Sequence, residues 1–324
     1  MPRDDPPRFP DHRDKATWGE RVVPLEAFER AVAAEGRELD AGARKVAREA
    51  FLTRDASPLP VEGPWERIVV FGGVYNNHYA LRALLDAAAR HRAQAIYCLG
   101  DLGGFGSHPE EVRPLLSEGD VRCIQGNYEQ SLASGAEDCN CGYTDPRDNH
   151  FAALSYEYTA ERCSDDFKEW MGHLPARRRV AVGGRELLLV HGSPRRVNQF
   201  LFRSTTPVPY LEVLLDECGA DGMLCTHTGL HWHRRLPSGR DAVNVGVIGR
   251  PANDGRTGGW YSLLTERGGE IDVQLLPLDY DHESFAREME GEGLPAEFVE
   301  AIRTGWWTTC LEILPASERA SSRF

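Results

Sequence analysis

The stretch ERIVVFGGVYNNHYALRALLDAAARHRAQAIYCLGDLGG, residues 66–104, decides the fold class. ERIVVF (66–71) is an apolar run of buried-strand length, and Gly72-Gly73 turns it. HYALRALLDAAARHR (78–92) then sets apolar residues at helical spacing, with the Ala and Leu that favour a helix. AIYCLG (95–100) is a second strand, DLGGFGSHPEEV opens a loop and a short helix, and VRCIQG (121–126) is a third strand. Strand, helix, strand, helix, strand implies right-handed crossovers and a parallel core.

Downstream, a helical middle gives way to hairpin patterns: RRVAVGGRELLLV (178–190), RRLPSGRDAVNVGVIG (234–249) and WYSLLTERGGEIDVQLLPL (260–278). Their β-branched runs joined by Gly-bearing turns predict antiparallel pairs. The expectation is α/β, with a parallel first half and an antiparallel second half. YDHESFAREMEGEGLPAEFVEAIRTG (280–305) closes with two short helices separated at Gly293–Pro295. Upstream, residues 1–16 carry four prolines and eight charges and read as a disordered or draped arm. Helical spacing runs from Pro24 to Thr53, and RDASPLPVEGPW (54–65) breaks it with three prolines. Three parts are expected: an N-terminal arm and helical extension (1–65), a main domain (66–280) and a C-terminal helical extension packed on the core (281–324).

With 324 residues, 41% hydrophobic and 27% charged, the chain has ordinary globular usage, which excludes global disorder. A net charge of −13 argues against duplex nucleic acid or anionic membrane as a partner, because Lys and Arg supply the affinity for both. A small phosphorylated ligand in a local site remains compatible. There is no run of about 20 apolar residues for a spanning helix. The charged, Pro-rich start has no apolar core of a signal peptide, so a cytoplasmic location is expected. Eight cysteines are too sparse for a disulfide scaffold and are expected as thiols or metal ligands. Cys98, Cys123 and Cys225 sit in apolar runs and read as core, while Cys218 and Cys310 carry no signal.

Polar residues cluster where strands end, which is where open α/β sheets hold ligands. Asp101 follows the second strand, Asn127 the third, His191 the run RELLLV and His227 the run GMLC. Each is flanked by Gly, so the backbone can turn sharply there. Taken singly, a Gly-Asp is a turn, a Gly-Asn a helix cap and a lone His a hydrogen-bonded core residue. Together, one carboxylate, one amide oxygen and two imidazoles make a mixed set suited to Mn²⁺, Fe²⁺ or Zn²⁺.

At these residues the chain resembles the calcineurin-like metallophosphoesterase family, whose pattern runs D-x-H, G-D-x-x-G, G-N-H-D/E, a His often followed by Gly, then G-H-x-H. The resemblance covers roughly residues 66–280 and rests on GDLGGFGSHPEEV, QGNYEQ, VHGSP, THTG and VNVGVIGRPANDGR. It implies a mixed parallel/antiparallel β-sandwich flanked by helices and a site for two metals. This chain departs from the pattern: Gly73-Val74-Tyr75 stands for D-x-H, and Gly229 stands for the final His. In the family those lost residues serve the first metal. Asp101, Asn127, His191 and His227 are then the complete protein set of the second. One divalent metal per chain is the implied cofactor, beside an emptied subsite. Tyr128 replaces the family's leaving-group histidine. A phenol of pKa near 10 donates a hydrogen bond but is a poor base at pH 7, so Tyr128 reads as an oxyanion stabiliser or as packing.

Several residues are candidates for the remainder of the site. His78, His231 and His233 could hold a displaced second metal, although His78 also reads as a helix start and HWH as a strand. Tyr75, Asn76 and Asn77 could fill the emptied space or read a substrate. Cys139 and Cys141 in a Gly/Asp loop could bind Zn²⁺ with Cys163, or be loop thiols, and the loop itself could form a lid. Arg195, Arg196 and Arg250 are placed to meet an anionic substrate oxygen, or are solvated loop residues. Trp306 and Trp307 read as packing or a subunit contact, the latter allowing a homo-oligomer. The expected function is a metal-dependent hydrolase acting on a small phosphoester or similar anion. The alternatives are a non-hydrolytic metal- or nucleotide-binding regulator and a remodelled metalloenzyme acting on other bonds.

Overall fold

Period-two alternation in RIVVF builds the core from both faces of one strand. Ile68 and Val70 enter one apolar cluster and Val69 and Phe71 another, and all four are fully buried. A strand buried on both faces reads as a continuous apolar run, as this one does. The computed structural model describes residues 59–320. The arm and helix read in residues 1–53 lie outside the described residues.

The chain runs β1 (Val61–Trp65), β2 (Arg67–Phe71), α1 (His78–His91), β3 (Ala95–Cys98), α2 (Val112–Glu118), β4 (Val121–Cys123) and α3 (Asn127–Ser134). It continues with α4 (Pro146–Arg162), α5 (Asp165–Gly172), β5 (Arg178–Val182), β6 (Arg185–Leu189), α6 (Val208–Cys218) and β7 (Gly222–Cys225). Next come β8 (Trp232–Arg235), β9 (Asp241–Asn244), β10 (Gly259–Arg267) and β11 (Glu270–Leu278). The last helices are α7 (His282–Gly291), α8 (Ala296–Thr304) and α9 (Ala316–Ala320).

The strands form a six-stranded sheet of order β1-β5-β6-β7-β9-β8 and a five-stranded sheet of order β11-β10-β2-β3-β4. Ile68, Val70, Tyr97 and Ile124 of the smaller sheet pack against Val180, Leu187, Leu189, Leu224 and Val243 of the larger, making the sandwich. Each buried aliphatic side chain contributes about 1.5–3 kcal/mol here. On the outer faces α1, α2 and α5 cover the smaller sheet, and α6 covers the larger through Leu211, Leu214 and Leu215. Cys98, Cys123 and Cys225 lie buried in these layers, as expected.

Two sequence readings need correction. The second half is not purely antiparallel: β5–β6, β8–β9 and β10–β11 are hairpins, but β6–β7 and β7–β9 pair in parallel. Helix α6 supplies the first of those crossovers, and its apolar periodicity was submerged among the hairpin signals. Residues Val61–Trp65, read as a Pro-rich connection, form a strand parallel to β5. Proline is tolerated because β1 is an edge strand and Pro64 falls at a register irregularity, where no ladder bond is lost. Glu62 fastens that edge, accepting bonds from Arg178 at 2.5 Å, Arg122 at 2.8 Å and Tyr97 at 3.0 Å.

Helices α7 and α8 bury Phe285, Met289, Phe298 and Ile302 against Phe105, Phe151 and Tyr158. The two are parted at Glu292–Pro295, close to the Gly293–Pro295 break read in the sequence. No helix among the described residues is long and apolar enough to cross a membrane.

Candidate metal centre

β2, β3 and β4 run parallel, as do β6, β7 and β9, and a parallel bridge between Gly72 and Val247 joins the two sets. Both sheets therefore end on one side, and the loops past those ends meet. Asp101 follows β3, Asn127 opens α3 after β4, His191 follows β6 and His227 follows β7. One ligand atom from each of Asp101, His191 and His227 lies within 4.8 Å of the others, and all three residues are buried. Among the described residues this is the one group of His, Cys, Asp and Glu side chains with such geometry.

The backbone is bent to achieve it. Asp101 has φ +59° and His227 φ +65°, left-handed conformations that a non-Gly residue adopts at about 1–2 kcal/mol. Such strain gathers at functional sites. Gly126 lets the strand ends close up, since a Cβ there would sit 2.7 Å from Asp101 Oδ1 and 2.8 Å from His191 Cε1.

Hydrogen bonds fix the donor set. His191 Nδ1 lies 2.6 Å from the Leu99 carbonyl, so Nδ1 donates there and Nε2 is the nitrogen that faces the cluster. Nε2 stands 3.4 Å from Asp101 Oδ2 and 3.0 Å from His227 Nδ1. Burial alone would raise the Asp101 carboxyl, but the imidazole of His191 overrides it and holds its pKa below the ordinary value. Burial opposes protonation of His191, and Asp101 outweighs it, raising that pKa. Burial, followed by neighbouring His191, pushes His227 down to about 3, so it is neutral at pH 7.

Asn127 is buried beside this group, and its Nδ2 donates to the Cys139 carbonyl at 2.8 Å. Asn127 Oδ1 and Asp101 Oδ1 are buried with no hydrogen-bond partner. Two orphaned oxygen acceptors next to two imidazole nitrogens fit a divalent cation of the Mn, Fe or Zn type.

Glu129 is the positioning residue that the sequence reading left without a role. Fully buried, it accepts from the backbone N–H of Asp101 at 2.9 Å, Leu102 at 2.7 Å and Gly126 at 2.6 Å. One carboxylate thus ties the Asp101 turn to the Asn127 turn. The signal was available, since Gly126 with Glu129 three residues on is capping-box spacing.

Asp101, Asn127 and His227 line a pocket together with Tyr75, Phe105, Tyr128, Tyr143, Arg250 and Cys310. Aromatic rings stand against the two glycines at which the sequence departs from the family pattern. At Gly73 a Cβ would lie 2.6 Å from the Tyr75 ring, and at Gly229, φ +74°, it would lie 3.1 Å from the Trp307 ring. Tyr128 lines the pocket with its hydroxyl 2.9 Å from Ser155 Oγ, and burial raises its pKa, so it stays a neutral phenol.

Other candidates lie elsewhere. Arg195 does not line the pocket, because Glu217 takes its Nε at 2.8 Å and Nη2 at 2.6 Å. Asn76 and Asn77 are engaged within the fold: Asn76 donates to Gly106 and Thr159, while Asn77 caps α1 and donates to Gly249. None of the three histidines joins the cluster. His78 faces Glu288, His231 stacks on Trp260 at 3.7 Å, and His233 bonds Asp241 at 2.8 Å. The expected free thiols Cys139 and Cys141 are joined in a disulfide, which removes them as a Zn²⁺ pair, and Cys163 is buried in the core instead. Trp307 is packing, 3% exposed, with its Nε1 donating to the Pro251 carbonyl.

Comparison with known proteins bears on the family and the fold. The Calcineurin-like phosphoesterase superfamily domain matches residues 67–265. A Methanocaldococcus jannaschii protein, called uncharacterized protein MJ0912, is 19% identical over 255 residues, covering 74% of this chain and 98% of its own. The crystal structure of hypothetical protein PH1004 from Pyrococcus horikoshii superposes with TM-score 0.63 at 21% identity, over 75% of this chain and 99% of that one. A metallophosphoesterase from Sphaerobacter thermophilus superposes with TM-score 0.57 at 21% identity, over 74% and 99%. At these identities the likeness is one of fold.

Proposed function

The chain belongs to the Calcineurin-like phosphoesterase superfamily, and from that premise we propose that it hydrolyses a small phosphoester through one divalent ion held by Asp101, Asn127, His191 and His227. The observation that carries this reading is the meeting of Asp101, His191 and His227 within 4.8 Å, beside the partnerless oxygens of Asp101 and Asn127. When bound, such an ion supplies Lewis-acid polarisation of a phosphoryl oxygen and a lowered pKa for water.

The chain's own residues do the rest. Asp101 gives the site its negative charge, and Glu129 fixes the turn that aims it. His191 is locked in one tautomer by the Leu99 carbonyl. In the net reaction water adds to phosphorus, the ester P–O bond breaks, and the departing oxygen takes a proton. Tyr128, kept protonated by burial, serves as a hydrogen-bond donor to developing oxyanion charge and not as a base.

The test is metal analysis joined to phosphate release from a generic aryl monoester and diester. About one ion per chain is expected. His191→Ala should lose the ion and lower the rate by about a thousandfold, the several kcal/mol that metal catalysis supplies. Metal retained without phosphate release from either ester would favour the non-hydrolytic regulator or the remodelled enzyme.

A further inference from the structure

Arg250 is 8% exposed and lines the same pocket as Asp101, Asn127 and His227. Its surroundings hold it firmly but leave its charge unanswered. Trp307 lies under the guanidinium at 3.8 Å and Phe105 at 4.9 Å, and Nη2 donates to the Thr309 carbonyl at 3.1 Å. That is the side chain's one hydrogen bond among the described residues, and Nε is buried without a partner. No carboxylate among the described residues comes within ion-pair reach of it. Tyr75 and Tyr143, which share the pocket, are pushed well above their ordinary pKa by burial and are neutral. A buried, unpaired guanidinium is costly unless an anion arrives to meet it.

Resting on the one-metal reading above, we propose that Arg250 is the second cation of the site, a substrate-binding residue whose planar fork takes the oxygens of a tetrahedral oxyanion opposite the Asp101–His191–His227 cluster. The segment after α8 is then part of the site, because Trp307 and Thr309 aim the fork. This segment lies beyond residues 67–265, the stretch the superfamily domain matches. Guanidinium geometry matches phosphate oxygens in pairs, whereas a lysine offers a point charge on a flexible stem.

Equilibrium binding of inorganic phosphate tests this, with metal content measured on the same samples of wild type, Arg250→Ala, Arg250→Lys and Trp307→Phe. In Arg250→Ala the ion should remain, while phosphate binds about thirtyfold more weakly, the loss expected for a charge-assisted bond. Arg250→Lys should recover only a small part of that loss. Added guanidinium ion should restore phosphate binding to Arg250→Ala and leave wild type unchanged, which a purely structural role would not produce. Trp307→Phe keeps the pocket packed and should weaken phosphate binding severalfold; it carries the test if Arg250→Ala does not fold. Phosphate affinity within about threefold of wild type in a folded, metal-loaded Arg250→Ala would overturn the proposal. Metal-free protein separates the two readings. If wild type holds no ion, the hydrolase reading falls, yet phosphate retained by metal-free wild type and lost in Arg250→Ala still supports Arg250.

Discussion

The two walls of the pocket are built by different means. Asp101, Asn127, His191 and His227 each stand just past the end of a parallel strand and are held by backbone bonds to Leu99 and Cys139 and by Glu129. Arg250, which lines the same pocket, is held instead by side-chain packing on Trp307 and Phe105 and by the carbonyl of Thr309, a residue that follows α8. Backbone bonds fix a position whatever fills the neighbouring space, while packing depends on every neighbour. The ligand wall should therefore fail as a unit when its ties are cut. The opposite wall should tolerate change with the ion still in place.

Glu129→Gln cuts such a tie while keeping the side chain's size. One of its oxygens becomes an amide N–H₂ facing backbone donors that now lack an acceptor. The expected outcome is metal affinity weaker by about 10–100-fold, the usual effect of removing a partner that orients a ligand. Stability should fall by about 1–3 kcal/mol. Chelator competition and urea unfolding measure the two effects. Unchanged metal affinity would mean that the ligand wall does not depend on this carboxylate.

Gly229→His probes the place where the loop carrying His227 meets Trp307, the residue under Arg250, by restoring the residue type that the family pattern has there. Its φ of +74° disfavours any side chain, and the Trp307 ring stands 3.1 Å from the new Cβ. A loss of about 1–2 kcal/mol is expected from the backbone alone. Metal content should stay at one ion per chain, read by elemental analysis beside thermal unfolding. Two ions per chain would show that Trp307 moves aside and that a second ion can be held there.

The same division explains what could be read from the sequence. Strands β2, β3 and β4 were legible because each is a short apolar run closed by Gly, and the ligand candidates were legible because they sit beside those closures. The edge strand β1 was hidden by Pro64, whose place on a sheet edge is a tertiary fact. Arg195 and Arg250 were indistinguishable as loop arginines. One is paired to Glu217, 22 residues away, and the other rests on Trp307, and neither partner is marked by a local motif. Trp307 was noted only as an aromatic pair near the end of the chain, because nothing local ties it to Gly229. The disulfide between Cys139 and Cys141 ran against the composition argument, since the sparseness of cysteine along a chain says nothing about two that are neighbours in a loop.

His231 offers the finest distinction, because the sequence allowed it as a ligand and the structure sets it against Trp260. Burial pushes its pKa down to about 4, against an ordinary 6.5. The sign follows from where the proton goes. Above pH 6.5 neither state binds it and the site is neutral to stability. As pH falls from 6.5 towards 4 the unfolded chain takes the proton and the folded chain refuses it, so stability is lost across that window, by up to about 3 kcal/mol. His231→Phe keeps an aromatic ring on Trp260 and removes the titration. At pH 7.5 the variant should hold its full complement of metal and unfold within about 1 kcal/mol of wild type. By pH 5 it should be the more stable protein of the two, as read by urea unfolding at both pH values. Loss of the ion in this variant would place His231 with the ligand wall after all. A stability difference independent of pH would show that the imidazole is not held neutral.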